Sequence, residues 1–277
     1  MTHSRTRIHE LLGEQLSPRR DLGQNFVADP NTVRRIAHLA KVGPGDHVVE
    51  IGAGLGSLTL ALAETQAHIT AVEVDRGIVP VLRDVMSNVA NVTVVEADAT
   101  TLDWGALLDG HDRWTLVANL PYNIATPLVC DLLDDVPEIT SMLVMVQREV
   151  AERFAAPPGS KLYGAVSVKV AYWGTARMAA TVPASVFVPR PNVESALVRI
   201  DRHDAATLAD ITAGVDRERL FFLVRTAFGQ RRKMLRRSLA AHVTTDQFEA
   251  ADVSPEHRPE QLGLPQWLRL AAASPAS

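Results

Sequence analysis

The chain has a single cysteine, Cys130, among 277 residues. That excludes an intrachain disulfide and any metal site built from cysteines. Cys130 lies in an apolar stretch and reads as a small core residue. No apolar run approaches the ~20 residues needed to span a bilayer. Met1 to Arg20 is polar and lacks the apolar core of a secretion signal. A cytoplasmic protein without membrane contact is the expectation. There are no internal repeats, and the only biased tract is the small-residue end from Ser274 to Ser277. Hydrophobic residues make up 47% of the chain and charged residues 22%. These are the proportions of a folded globular protein, and the length admits one large domain with a small one beside it.

What is present centres on Val48-Val49-Glu50-Ile51-Gly52-Ala53-Gly54-Leu55-Gly56. A β-branched run ends in three alternate glycines, and a helix from Ser57 to Glu64 follows. This is the strand, tight turn and helix start of a nucleotide-binding corner in an α/β sheet. The glycines permit left-handed backbone angles and let a ligand lie against the main chain. The pattern is G-x-G-x-G, and Ser57 takes the place of a third dehydrogenase glycine, so a nucleoside suits it better than a pyrophosphate. The next strand, Ile69 to Val72, ends at Glu73, about 20 residues on and placed to accept from ribose hydroxyls. A third strand, Val92 to Val95, leads to Asp98, either an acceptor for an adenine amine or a helix N-cap.

A fourth strand, Trp114 to Ala118, runs into Asn119-Leu120-Pro121-Tyr122-Asn123. Asn119 offers a side-chain carbonyl, Pro121 a main-chain carbonyl held by its ring, and Tyr122 a face for a base. Two convergent carbonyls suit an exocyclic amine. The alternative is a strand-end turn with Tyr122 in the core. A fifth strand spans Met142 to Val146, a helix Gly164 to Trp173, and further strands Ala176 to Val182 and Val193 to Ile200. Between the last two, a proline-stiffened loop carries Phe187, which either faces the site or pins the loop. Upstream, Gln24 and Asn25 either close a turn or face a ligand. Asp29 caps a helix through Ala40 with Pro30 in its first turn.

Beyond about Asp201 to Ala206 the pattern becomes all-helical, with helices near Arg217–Phe228, Arg231–Ala241, Thr245–Ala251 and Leu264–Ala273. Three parts are expected: a flexible arm over 1–20, an α/β domain over 21–203 and a helical domain over 204–277. The net charge is −4, but the stretch from Asp216 to Ala240 carries +6 and the rest −10. Arg225, Arg231, Arg232, Lys233, Arg236 and Arg237 are uninterrupted by acids and form a candidate patch for a polyanion.

These residues together resemble the ribosomal small-subunit RNA adenine dimethyltransferases, the KsgA/RsmA family. The likeness covers Leu22-Gly23-Gln24-Asn25-Phe26, Glu50-Ile51-Gly52-Ala53-Gly54, Glu73-Val74-Asp75, Asn119-Leu120-Pro121-Tyr122-Asn123, Tyr163-Gly164 and the Phe187 loop. It continues through Ala227-Phe228-Gly229-Gln230-Arg231-Arg232-Lys233 and Arg258-Pro259-Glu260-Gln261-Leu262. N-L-P-Y is common to many amino-directed methyltransferases, while G-Q-N-F with F-x-Q-R-R-K is more specific. Val27 and Ala53 stand where many members have leucine and proline.

The resemblance implies a Rossmann-like methyltransferase sheet, mostly parallel with one antiparallel strand, and a helical C-terminal domain that contacts the ribosome. It implies S-adenosylmethionine as methyl donor, with Asn25, Val27, Gly52, Gly54, Glu73, Asp98 and Asn119 at its site. It implies Asn119, Pro121, Tyr122 and Phe187 around the reacting adenine, and no metal. The implied substrate is a pair of adjacent adenines near the 3′ end of 16S rRNA, in the 30S subunit or its precursor; separately, a monomer is the expectation. A 23S rRNA adenine methyltransferase would share the fold and the N-x-P-Y chemistry, but the basic segment favours the small subunit. A non-catalytic assembly factor is disfavoured by intact Glu73, Asp98 and Asn119-Leu120-Pro121-Tyr122.

Overall fold

The computed structural model describes residues 2–13, 16–19, 22–108 and 110–275. Nine strands occur among them: β1 (Phe26–Val27), β2 (His47–Ile51), β3 (His68–Glu73), β4 (Val92–Glu96), β5 (Trp114–Asn119), β6 (Ile139–Gln147), β7 (Gly174–Val182), β8 (Phe187–Val188) and β9 (Ser195–Arg202). Seven form one sheet in the order β4-β3-β2-β5-β6-β9-β7. The pairs from β4 to β6 are parallel, and β9 runs antiparallel to β6 with Val144 opposite Val198. The central strands are apolar on both faces because helices cover both: in β2 every residue after His47 is buried.

The order reverses at β2, where β3 lies on one side and β5 on the other. In open parallel sheets ligands bind outside the carboxyl ends of the strands at such a switch point. The glycine turn and Asn119 leave the sheet there. Helix Pro30–Ala40 starts as its sequence dictates. The Asp29 carboxylate accepts from the Asn31 and Thr32 N–H groups, and Val33, Ile36, Ala37 and Ala40 form its buried stripe.

Two compact units divide the chain. One comprises Met1–Ala151 and Arg177–Asp201, the other Glu152–Ala176 and Arg202–Ser277. The second unit thus takes in a stretch expected within the α/β domain. The reason is packing: Tyr163, Val168 and Tyr172 share a buried cluster with Leu220, Leu223 and Trp267. The unit also contains a helix that periodicity missed, Ala205–Thr212, capped by Asp204.

Three other expectations are corrected. The N-terminal arm, expected to be flexible, contains helix Arg5–Leu12. Ile8 and Leu12 are buried against Phe26, Leu55, Ile78 and Val188, and His3 bonds the Leu55 carbonyl at 2.8 Å. A short amphipathic helix is stable once it has an apolar surface to dock on, and isolated sequence gives no sign of that surface. Met1, Glu14, Gln15 and Arg20 of that arm lie outside the described residues, as do Ala276 and Ser277 of the biased C-terminal tract.

The helix expected over Arg231–Ala241 is only Leu235–Ser238. Its opening N–H groups go elsewhere: Leu235 donates to the His257 carbonyl and Arg236 to that of Pro255. Phe187, an open question in sequence, is fully buried. It lies on β8, which pairs antiparallel with β1 and sets Phe187 opposite Val27. The aromatic pins the loop to the core.

Candidate active site

A cavity opens at the carboxyl edge of β2, β3 and β5. Four stretches distant in sequence build it: residues 22–27, the glycine turn with Glu50, Glu73, and Asn119-Leu120-Pro121-Tyr122. Ile8 of the N-terminal helix adds to the wall.

The turn folds as it does because Gly52, Gly54 and Gly56 have φ of 74°, 56° and 85°, where a Cβ is strained. A Cβ on Gly54 would also stand 3.0 Å from the Phe26 ring, and one on Gly56 2.4 Å from Met86 Cε. The Gly54 N–H donates to Glu73 Oε2 at 2.7 Å. Glu73 Oε1 accepts from the Val74 and Asp75 N–H groups at 3.0 and 2.9 Å. A carboxylate has about four acceptor positions, so these three bonds leave room for about one more donor. Burial pushes the Glu73 carboxyl above the usual range, with the backbone bonds pulling against it.

Asn119 is held by its nitrogen. Nδ2 donates to the Asn25 carbonyl at 2.9 Å, which leaves Oδ1 as the free acceptor. The Asn25 amide in turn donates to the Gly23 carbonyl. Gln24 closes a turn and also bonds a carboxylate: its Oε1 accepts from the Arg19 N–H and its Nε2 donates to Asp75 Oδ2 at 2.7 Å. The Tyr122 hydroxyl lies 2.7 Å from Ser195 Oγ on β9, which ties down the far end of the ring. Ser195 is fully buried.

The expected acceptor on Pro121 is corrected. Its carbonyl receives the Ile124 and Ala125 N–H groups at 3.2 and 3.1 Å, which uses both lone pairs to open helix Ala125–Asp135. The Leu120 carbonyl receives no such bond among the described residues, while the Leu120 N–H donates to the Met145 carbonyl. Leu120 lines the same cavity. Sequence reading missed it because a main-chain acceptor leaves no side-chain signature.

Two expected site residues are not at the cavity. Phe187 is in the core, as above. Asp98 is exposed, with Oδ1 accepting from the Thr100 N–H and hydroxyl at 2.9 and 2.7 Å, a local turn cap. Asn25, Val27, Gly52, Gly54, Glu73, Asn119, Pro121 and Tyr122 all line it. Sequence reading also missed Glu50, Ser57 and the half-exposed Val74 in the wall. A carboxylate inside the apolar run Val48 to Ile51 was the available signal for Glu50.

In the second unit the basic residues divide into two kinds. Arg231 is structural: its guanidinium donates to the Tyr163, Lys161 and Ser160 carbonyls and faces Glu260 at 3.8 Å. Arg225, Arg232, Lys233, Arg236 and Arg237 are exposed. Among the described residues no group of histidine, cysteine or carboxylate side chains is placed to hold a metal ion, and no helix is long and apolar enough to cross a membrane.

Comparison with known proteins gives the family and the fold. The family described as ribosomal RNA adenine dimethylase matches residues 15–273. The ribosomal RNA small subunit methyltransferase A of Bifidobacterium longum is 45% identical over 272 residues, covering 93% of this chain and 88% of the relative. Among solved structures, a dimethyladenosine transferase from Plasmodium falciparum has a TM-score of 0.73 at 24% identity, covering 87% of this chain and 94% of that one. The 23S rRNA methyltransferase ErmE has a TM-score of 0.69 at 26% identity, covering 90% and 99%.

Proposed function

Because the chain belongs to the ribosomal RNA adenine dimethylase family, we propose that it methylates N6 of two adjacent adenines near the 3′ end of 16S rRNA. It is an S-adenosylmethionine-dependent rRNA methyltransferase. The small-subunit target follows the name of its 45%-identical relative. The 30S subunit or its precursor is the proposed particle, and a cytoplasmic monomer the proposed working form. The single observation that carries the reading is that Asn119-Leu120-Pro121-Tyr122 and the glycine turn line one cavity.

S-adenosylmethionine supplies the methyl group when bound. The residues fit it: bare glycine backbone at the turn, one spare acceptor on Glu73 for a ribose hydroxyl, and the buried Glu50 Oε2 and Ser57 Oγ, which have no partner among the described residues. In the proposed site Asn25, Val27, Gly52, Gly54 and Glu73 hold the donor. Asp98 serves only by turning away from Thr100.

An adenine amine is a poor nucleophile because its lone pair is delocalised into the ring. Asn119 Oδ1 and the Leu120 carbonyl accept its two N–H groups, which favours a pyramidal nitrogen with a localised pair. The same dipoles stabilise the positive charge that grows on that nitrogen. Tyr122 stacks on the base, and Ser195 holds the ring at the required angle. No side-chain base is needed, since the methylated ammonium is acidic enough to lose its proton to water. Most of the rate then comes from positioning. Unstacking the adenine costs a few kcal/mol, and stacking on an aromatic recovers ~1–3 kcal/mol. The proposed rRNA-binding residues are Arg225, Arg232, Lys233, Arg236 and Arg237 of the helical unit, with Arg231 bracing the loop beside them.

The test supplies tritiated S-adenosylmethionine with naked 16S rRNA, naked 23S rRNA or 30S particles from a strain lacking the modification. Label in N6,N6-dimethyladenosine of the 30S particle or its precursor is expected. Label confined to 23S rRNA would overturn the proposal.

A further inference from the structure

The three strands that end at the cavity begin at a row of rings. His47, His68 and Trp114 open β2, β3 and β5, and the register sets His47 directly opposite both of the others. Residues in register share a face of the sheet, so the three side chains form one line across it. His111, just ahead of β5, lies over that line: its ring centroid is 3.5 Å from that of His47, with the planes 24° apart. His47 stacks in turn on His68 at 5.0 Å and 17°. The Trp114 indole packs 5.1 Å from His47 and 6.2 Å from His111.

Three imidazoles side by side invite a metal ion, but stacked rings keep their nitrogens in separate, nearly parallel planes. Among the described residues no such group is placed to hold an ion. What the stack does hold is a latent conflict of charge. Histidine is the side chain that changes charge nearest neutral pH. A first proton on the stack meets no like charge; a second meets one across a ring spacing. Burial pushes His47 below its ordinary value of 6.5, and His111 and then His68 push it further. From the turn before β2, Asp46 pulls the other way, with its carboxylate already accepting from the Gly43 N–H at 2.8 Å. Trp114 is neutral, and its indole N–H donates to the Leu108 carbonyl at 3.3 Å.

We propose that the histidine stack is an acid-sensitive fastener at the amino edge of the sheet: while neutral it holds the first residues of β2, β3 and β5 together, and a second proton, taken from solvent, drives the rings apart and frays those strand ends. No other bond changes. Because the closed stack takes up protons less readily than the open one, closure is fully favoured above pH ~6.5 and weakens as pH falls. The device is separate from the cavity. Strands of five or six residues put the two roughly 16–20 Å apart, and the fastener does not depend on what the cavity binds.

Amide hydrogen exchange on the full chain tests this at two hydrogen-bonded amides beside the rings. The His68 N–H donates to the Asp46 carbonyl and the Trp114 N–H to that of Glu138, both at 2.8 Å. After correction for the intrinsic exchange rate, wild-type protection at both amides is expected to fall by up to about tenfold per pH unit between about pH 6.5 and 5. His111 is exposed, so its variants should fold. His111→Phe keeps a ring on His47 and cannot be charged, so the acid loss should shrink. His111→Ala removes the ring, so protection should already be lower at neutral pH.

Proton NMR of the imidazoles follows His47 directly. Its titration midpoint should lie below 6.5 in wild type. In His111→Phe it should move up part of the way, because burial, the larger cause, stays. Titration elsewhere in the protein is common to wild type and variant and cancels in the comparison. An acid loss as large in His111→Phe as in wild type would show that charge on the stack is not its cause. Wild-type protection that stays constant with pH would show that the rings do not part. Either result overturns the inference and leaves the methyltransferase reading intact.

Discussion

Asn119 has two jobs in the proposed site, and they can be separated. Its Nδ2 donates to the Asn25 carbonyl at 2.9 Å, joining residues 94 apart in sequence and bracing the segment before β1. Its Oδ1 is the acceptor offered to the adenine amine. Asn119→Ala removes both. Losing the brace costs about 1 kcal/mol of local order, which should weaken donor binding by less than about tenfold. Losing the acceptor removes a dipole aimed at developing charge, an effect of about 10²–10³ in turnover. Asn119→Asp keeps an acceptor and removes only the brace. Donor affinity is read by calorimetry and the chemical step by single-turnover methyl transfer to undermethylated 30S particles. Asn119→Ala should lose most in the chemical step, and Asn119→Asp should recover part of that loss without recovering donor affinity. If Asn119→Ala weakened donor binding but left the single-turnover rate within about threefold of wild type, Asn119 would be a brace alone.

Phe187→Ala should cost ~3–5 kcal/mol in chemical denaturation, as for other fully buried aromatics, while Phe187→Leu should keep its turnover. A folded Phe187→Leu variant with no turnover would return the ring to the site. Arg231→Ala should lower stability by ~1–3 kcal/mol through its unpaired carbonyl partners and leave the salt dependence of rRNA binding close to wild type. Arg232→Glu with Arg237→Glu should do the reverse, weakening rRNA binding and flattening its salt slope by about one unit per lost phosphate contact. Equal salt slopes for both variants would contradict this division. Glu50 sets a pH effect on stability in the absence of donor. Its folded carboxyl sits above its unfolded value of 4.5, at about 8, so its contribution is fully present below pH 4.5 and is lost as pH rises to about 8. Glu50→Gln should therefore gain on wild type across that window, by at most ~5 kcal/mol. A pH-independent difference in urea midpoints would show that Glu50 is ionised throughout.

Much of the site was legible because its parts are local. The alternating glycines after Val48 to Ile51, the acid closing the next strand and Asn119-Leu120-Pro121-Tyr122 each carry chemistry in side chains or glycine backbone at fixed spacing. The sheet follows from β-branched runs alternating with helical periods, and the helix cap at Asp29 follows from its own residue and the next three. These features depend on interactions within a few residues of the chain, and sequence reports such interactions directly.

The rest was settled by contacts that no local pattern encodes. Phe187 is core because β8 pairs with β1, far away in the chain. Arg231 is a brace because the loop from Ser160 to Tyr163 brings three carbonyls to its guanidinium. The Pro121 carbonyl is spent on opening a helix, which leaves that of Leu120, and a main-chain acceptor looks alike at every residue. The N-terminal helix forms because Phe26, Leu55 and Val188 offer it a surface. Glu50 is visible in the sequence as an acid in an apolar strand, but its charge state depends on what surrounds it in three dimensions. Composition and spacing determined which residues carry the chemistry; burial, and the partners that folding delivers, decided which of them are free to use it.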